Sequence, residues 1–259
     1  MSIANEIKRL QDAKTSIKTA LENKGVEVGN ETIDTYASKI NNMSVLNSKI
    51  YNMSYLFAYD RFGDDFSTVL KLVEKPTRID SAFSNCTKIT KIDLSDIDMS
   101  ECTLLSYAFS NCYNVTEIKF GKIESKKVTS AVTMLANCEE LIDLDMSCFD
   151  FGKVTEIQSF STYIYSLVNF KSFKNLGKAY TAKTKNYYAY GLGINSASKL
   201  THESLMDIIN NGLYDLNKTY NVANGGTLYT QQLQIGSTNI AKLTSAEIKK
   251  ATDKGWSVS

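Results

Sequence analysis

Three cysteines stand at one fixed interval. Cys86, Cys112 and Cys138 follow one another at 26-residue steps, each preceded by an asparagine, Asn85, Asn111 and Asn137. A thiol acts as nucleophile or metal ligand only as the thiolate, and a tetrahedral zinc site gathers four ligands at one point. One cysteine per repeat and no C-x-x-C pair make a ladder instead of a cage. Adjacent rungs would be near enough for a disulfide in principle, yet the five cysteines are odd in number and do not read as a disulfide framework. They read as free thiols filling a core, in a chain made in a reducing compartment. His202 is the only histidine, so any Ser-His-Asp arrangement or histidine-containing metal cluster would rest on one residue in a helix N-terminal turn. No G-x-x-x-x-G-K motif cradles a phosphate. Asp93, Asp143 and Asp145 could mimic paired catalytic carboxylates, but a carboxylate repeated outward along a sheet is ordinarily a solvated face. The expectation is a non-enzyme with no cofactor and no metal.

The elements that place these residues follow from the repeat itself. After each cysteine come apolar triplets at the same step: Ile89, Ile92, Leu94; Val115, Ile118, Phe120; Leu141, Leu144, Met146. A fourth apolar beat falls at Ile97, Ile123 and Phe149. A period in the twenties with an L-x-x-L-x-L pattern marks a leucine-rich-repeat solenoid. Ile92-Asp93-Leu94 alternates as a strand does, and one strand cannot bury its inward face alone. Stacking the units joins the strands into a parallel sheet, each buried Leu, Ile or Phe contributing roughly 1.5–3 kcal/mol. The segments before the cysteines supply Phe83, Phe109 and Leu135 and are expected to form short helical turns behind the sheet. Phe57 and Asp60 mark a degenerate first unit; Ile164, Leu167 and Phe170 mark a fourth, as capped ends require.

From about Asn52 to Phe173 the phrases SAFSNCTKITKIDLSDIDMS and their copies resemble the BspA-type leucine-rich repeats of bacterial surface proteins and bacteriophage particles. The resemblance implies a fold and a binding role, with no chemistry. One departure is that the T-S-x-V-T link between units is poorly kept.

The 259 residues balance 29 Lys and Arg against 28 Asp and Glu, which leaves no electrostatic footprint for nucleic acid. The N-terminus lacks the apolar stretch of a secretory signal, and no run is long enough for a membrane helix. Residues 3–24 read as an amphipathic helix with Ile3, Ile7, Leu10, Ile17 and Leu21 on one stripe. That stripe either packs on its own domain, with a second helix over 32–40, or docks and self-associates. The string IANEIKRLQDAKTSIKTALENKGVEVGNETIDTYASKI resembles the opening module of tail-associated proteins from phages of Gram-positive hosts, which implies attachment and commonly a homotrimer. At the other end a helix is expected over 201–216 with Thr201 as N-cap, then a strand in TLYTQQLQIGS. A last helix starts near Thr244 with Glu247 as in a capping box, and Trp256 plugs the core.

The expected architecture is therefore α/β. A helical module spans 1–50, a leucine-rich-repeat solenoid with a parallel sheet of period 26 spans 51–198, and a helix–strand–helix cap spans 199–259. Two surfaces are binding candidates. The outward strand face carries Lys91, Asp93, Ser95, Glu117, Lys119, Asp143, Asp145 and Ser147; it suits a protein or glycan ligand and equally plain solvation. The segment YTAKTKNYYAYGLG carries Tyr180, Tyr187, Tyr188 and Tyr190, which either meet a ligand or pack beneath the final helices. The functional expectation is a bacteriophage tail, baseplate or fibre component, assembled in the bacterial host cytoplasm and located in the virion. Its helices would dock on other virion proteins while the repeats face a host cell-surface glycan or protein. The competing expectation is a bacterial surface or secreted adhesin.

Overall fold

The computed structural model describes residues 50–60, 66–180, 191–227 and 231–259, together with Thr15, Lys18, Thr19 and Glu22 in helical conformation. The chain divides into two compact units, Met1–Lys49 and Ile50–Ser259. The stripe residues Ile3, Ile7, Leu10, Ile17 and Leu21 lie outside the described residues, as do Tyr187, Tyr188 and Tyr190.

The second unit is α/β, with parallel sheets and few helices. Strands β1 (Ile50–Asn52) and β2 (Val73–Arg78) pair with each other. The main sheet has the order β3 (Lys91–Leu94), β4 (Glu117–Phe120), β5 (Asp143–Asp145), β6 (Asn169–Lys171). A last sheet joins β7 (Leu192–Gly193), β8 (Gln231–Gln234) and β9 (Trp256–Val258). Register follows the 26-residue step: Ile92 pairs with Ile118, Ile118 with Leu144, and Leu144 with Phe170. All four are buried, and a continuous apolar core runs the length of the stack. Phe57, Phe83 and Phe109 form its aromatic spine, with ring centroids 4.8 and 5.7 Å apart.

The segments before the cysteines are runs of turns, not helical turns. In 79–86, Ser81 and Asn85 have φ of 55° and 61°, and Tyr55, Tyr59, Tyr107, Asn111, Thr133, Asn137, Ser159 and Tyr163 repeat the two positions through the stack. The left-handed residues aim alternate amides along the stack. Ile79, Ser81, Phe83 and Asn85 donate to carbonyls of the next rung at 2.8–3.1 Å, while Ala82, Ser84 and Cys86 close turns within their own. A helix would consume every amide internally and leave none for a neighbouring rung. Asparagine tolerates this conformation better than other non-glycine residues. It also builds a ladder, Asn111 Nδ2 donating to Asn85 Oδ1 (2.9 Å) and Asn137 Nδ2 to Asn111 Oδ1 (2.5 Å).

Links between units are more regular than their sequences. Thr103 donates both its amide and its hydroxyl to Thr77 O, and Thr129 does the same to Thr103 O. The fourth apolar beat breaks once. Ile97 and Phe149 are buried, but Ile123 is exposed because the chain slips by two residues and pairs Ser125 with Phe149.

The C-terminal elements close the stack. α1 (Phe66–Leu70) lies between the first two strands in sequence, and α2 (His202–Asp207) begins at Thr201, whose hydroxyl accepts from Ser204 N. The expected long helix shortens here, turning into a π-helical stretch over Ile208–Gly212. Two single-turn helices follow, α3 (Tyr220–Ala223) and α4 (Ser237–Ile240). α5 (Ser245–Asp253) carries the Thr244–Glu247 capping box. Trp256 is buried and donates to Tyr214 O at 2.9 Å. Tyr180 is buried as well, 6.4 Å from the Trp256 ring, so of the two expected settings it takes the one in the core. No helix among the described residues is long and apolar enough to cross a membrane.

Candidate binding face

Because side chains alternate across a strand, the residues between the buried ones form two outward rows at the step of the stack. One row runs Lys91, Glu117, Asp143, Asn169, and the other Asp93, Lys119, Asp145, Lys171. The second row alternates in sign. Glu117 receives Lys91 at 3.4 Å and Lys119 at 3.0 Å; Lys171 meets Asp145 at 3.3 Å; Asn169 donates to Asp143 at 2.6 Å. Ser95 and Ser147 end their strands in Asx turns, each amide donating to the aspartate two residues earlier at 2.9 Å.

These contacts favour the charged forms of Asp93, Glu117, Lys119 and Asp145. Hydrogen bonding from Ser95 holds Asp93 below the usual carboxylate range. The Lys119 ammonium holds Glu117 low and is itself raised by it. At Asp145 partial burial opposes the shift, but Ser147 and Lys171 carry the carboxyl low. A general acid at neutral pH needs the opposite displacement.

At the C-terminal end the face deepens into a groove of about 690 Å³. Its floor is Glu117, Lys119, Asp143, Asp145, Asn169 and Lys171; Glu203, Met206, Asp207, Asn210 and Asn211 wall it. The wall is fixed by the edge of β6. Phe170 N donates to Ser204 Oγ (2.9 Å) and Ser172 N to Asp207 Oδ2 (2.6 Å), so α2 satisfies the amides that a further strand would have taken. Of the predicted face residues, Ser95, Glu117, Lys119, Asp143 and Asp145 line the groove, while Lys91, Asp93 and Ser147 lie outside it. Lys171 and Asn169 escaped the sequence reading, although the step of 26 from Asp145 and Asp143 reaches both.

The residues of possible reactivity lie elsewhere. All five cysteines are free and buried. Cys86, Cys112 and Cys138 each donate to the carbonyl of a phenylalanine one rung back, at 3.0–3.1 Å. Burial pushes Cys138 up to about 12. His202 sits on the surface, 3.0 Å from Glu247. Among the described residues no cluster of three or more His, Cys, Asp or Glu could hold a metal ion.

A family model described as "Mycoplasma protein of unknown function, DUF285" matches residues 29–141 and again 77–188. Together the two overlapping matches cover 29–188, well over half of the chain. The chain belongs to the DUF285 family. The two matches overlap over 77–141. Membership accords with the BspA-type repeat resemblance; it lends nothing to the resemblance of the opening residues to phage tail modules. No curated protein and no solved structure matches the chain.

Proposed function

We propose that this DUF285 protein is a non-enzymatic binding protein. Its stacked units form a short leucine-rich-repeat solenoid of BspA type, which holds a polar strand face towards a macromolecular partner. The observation that carries the reading is the groove: successive strands and α2 bring charges of both signs to one concave surface. Register and edge capping fix those charges before any partner arrives, which lowers the ordering cost of association.

The setting proposed is a virion. The opening residues, with the Ile3, Ile7, Leu10, Ile17 and Leu21 stripe, dock on other virion proteins or assemble a homotrimer, and the repeats face a glycan or protein of the host cell. A second reading, a surface or secreted adhesin of a bacterium, draws on the family model, whose description names Mycoplasma.

Two measurements test these readings. Light scattering is expected to give a multiple of the chain mass for the whole protein and a single mass for a chain starting at Ile50; equal stoichiometry removes the oligomerising role. Labelled protein is expected to bind host cells, and Lys119→Glu with Lys171→Glu to weaken that binding about tenfold or more. Undiminished binding by the double variant removes the strand face from the reading.

A further inference from the structure

The turn edge of the stack carries a set of tyrosines that neither burial nor backbone preference explains. Tyr55, Tyr59, Tyr107 and Tyr163 adopt φ between 58° and 62°. A bulky residue in the left-handed region is an outlier, costing roughly 1–2 kcal/mol; in the column of Tyr59 and Tyr163 the intervening rungs carry asparagine, and in the column of Tyr55 and Tyr107 the other rungs carry serine or threonine. These four residues are 46–67% exposed. Tyr113 and Tyr165, also exposed, directly follow turn runs in sequence, and Tyr165 lies 6.0 Å from Tyr163. Strain at an exposed aromatic residue is the kind of outlier from which function is inferred.

The arrangement alternates by run, with Tyr55 and Tyr107 in one column and Tyr59 and Tyr163 in the other. Turn runs 53–60, 105–112 and 157–164 bear the tyrosines, directly or at the next residue, while 79–86 and 131–138 carry Ser81, Asn85, Thr133 and Asn137 in the same columns. Hydrogen bonds link successive rungs, so alternate rungs lie about 10 Å apart, twice the strand spacing. The strip is almost uncharged. Runs 53–60, 79–86, 105–112, 131–138 and 157–164 hold no lysine or arginine, and their acids are Asp60 and Asp80; the residues that directly follow them are Arg61, Thr87, Tyr113, Glu139 and Tyr165. Asp60 accepts from Thr87 and Lys88, and Asp80 pairs with Arg78. Aromatic faces interleaved with amides and hydroxyls suit a sugar, whose apolar face stacks on a ring while its hydroxyls find polar partners. Within the runs no cationic side chain offers itself to nucleic acid or a sulfated glycan, and Arg78 at their margin is held by Asp80.

We infer that this edge is a second binding surface, separate from the strand face, and that it takes an extended, neutral, regularly repeating glycan whose sugars stack on tyrosines of alternate rungs. A periodic surface matches a periodic polymer.

The test uses the whole chain and the triple variant Tyr59→Asn, Tyr107→Asn, Tyr163→Asn, with Tyr220→Asn as the control for an exposed tyrosine off the strip. Asparagine relieves the backbone, so the triple variant is expected to unfold at or above the urea midpoint of the parent. The probes are linear hexasaccharides of glucose, N-acetylglucosamine, mannose and galactose, with a heparin hexasaccharide as the charged comparison, followed by calorimetry. At least one neutral hexasaccharide is expected to bind the parent and the Tyr220 variant alike, and the triple variant about tenfold or more weakly. Three results overturn the inference: no neutral hexasaccharide binds, the triple variant binds one undiminished, or only heparin binds.

Discussion

At the residue scale, the repeated cysteine is the free, buried thiol that its spacing suggested. Its spacing was legible as a ladder; its hydrogen bond to a carbonyl one rung back was not, because that bond joins residues 29 apart through a turn geometry no local pattern encodes. The consequence is testable through pH. Burial raises Cys102, Cys138 and Cys148 from 9.0 to about 12. Below 9 the thiols are neutral in both states. Between 9 and 12 the unfolded chain releases protons that the native chain keeps, so stability falls as pH rises. The slope is at most about 1.4 kcal/mol per pH unit per thiol. Urea midpoints are expected to drop between about pH 8 and about pH 10.5, and Cys138→Ala to flatten part of that slope. A thiol reagent should label the native protein slowly and the urea-unfolded protein at once, since the thiolate is the reactive form.

At the element scale, periodic apolar columns were readable because a strand needs only alternation and a partner one step away. The strands, their 26-residue register, the Thr201 N-cap and the Thr244–Glu247 box all follow from local sequence. The turns did not, since Ser81, Tyr107 and Thr133 are not residues that announce a left-handed conformation. Tyr180 gave no local sign of burial, because Trp256, its neighbour in the core, lies at the far end of the chain. Nor did the edge cap on β6, which depends on where α2 docks. Asp207→Ala is expected to leave Ser172 N without its partner, costing about 1–3 kcal/mol. The urea midpoint measures the loss, and an opened edge should also raise the scattering mass at high concentration.

At the scale of the whole molecule, each unit leans on its two neighbours, so damage spreads along the stack. Phe109 stacks on Phe83 and meets Phe120 edge-on at 5.9 Å. Phe109→Ala should cost about 3–5 kcal/mol, and hydrogen exchange should quicken in 79–86 and 131–138 as well as in its own rung. Unchanged protection in those flanking turns would show that the rungs are independent.

The same hydrogen-bond grammar makes length negotiable. Ser81 gives to Ser106 what Tyr107 gives to Val132, so every interior block offers above what it accepts below. A duplicated block of 26 residues placed between two existing ones would meet familiar donors and acceptors on both sides, lengthening the molecule by about 4.8 Å. Reach, in such a protein, is a matter of how many times one paragraph of the gene is copied.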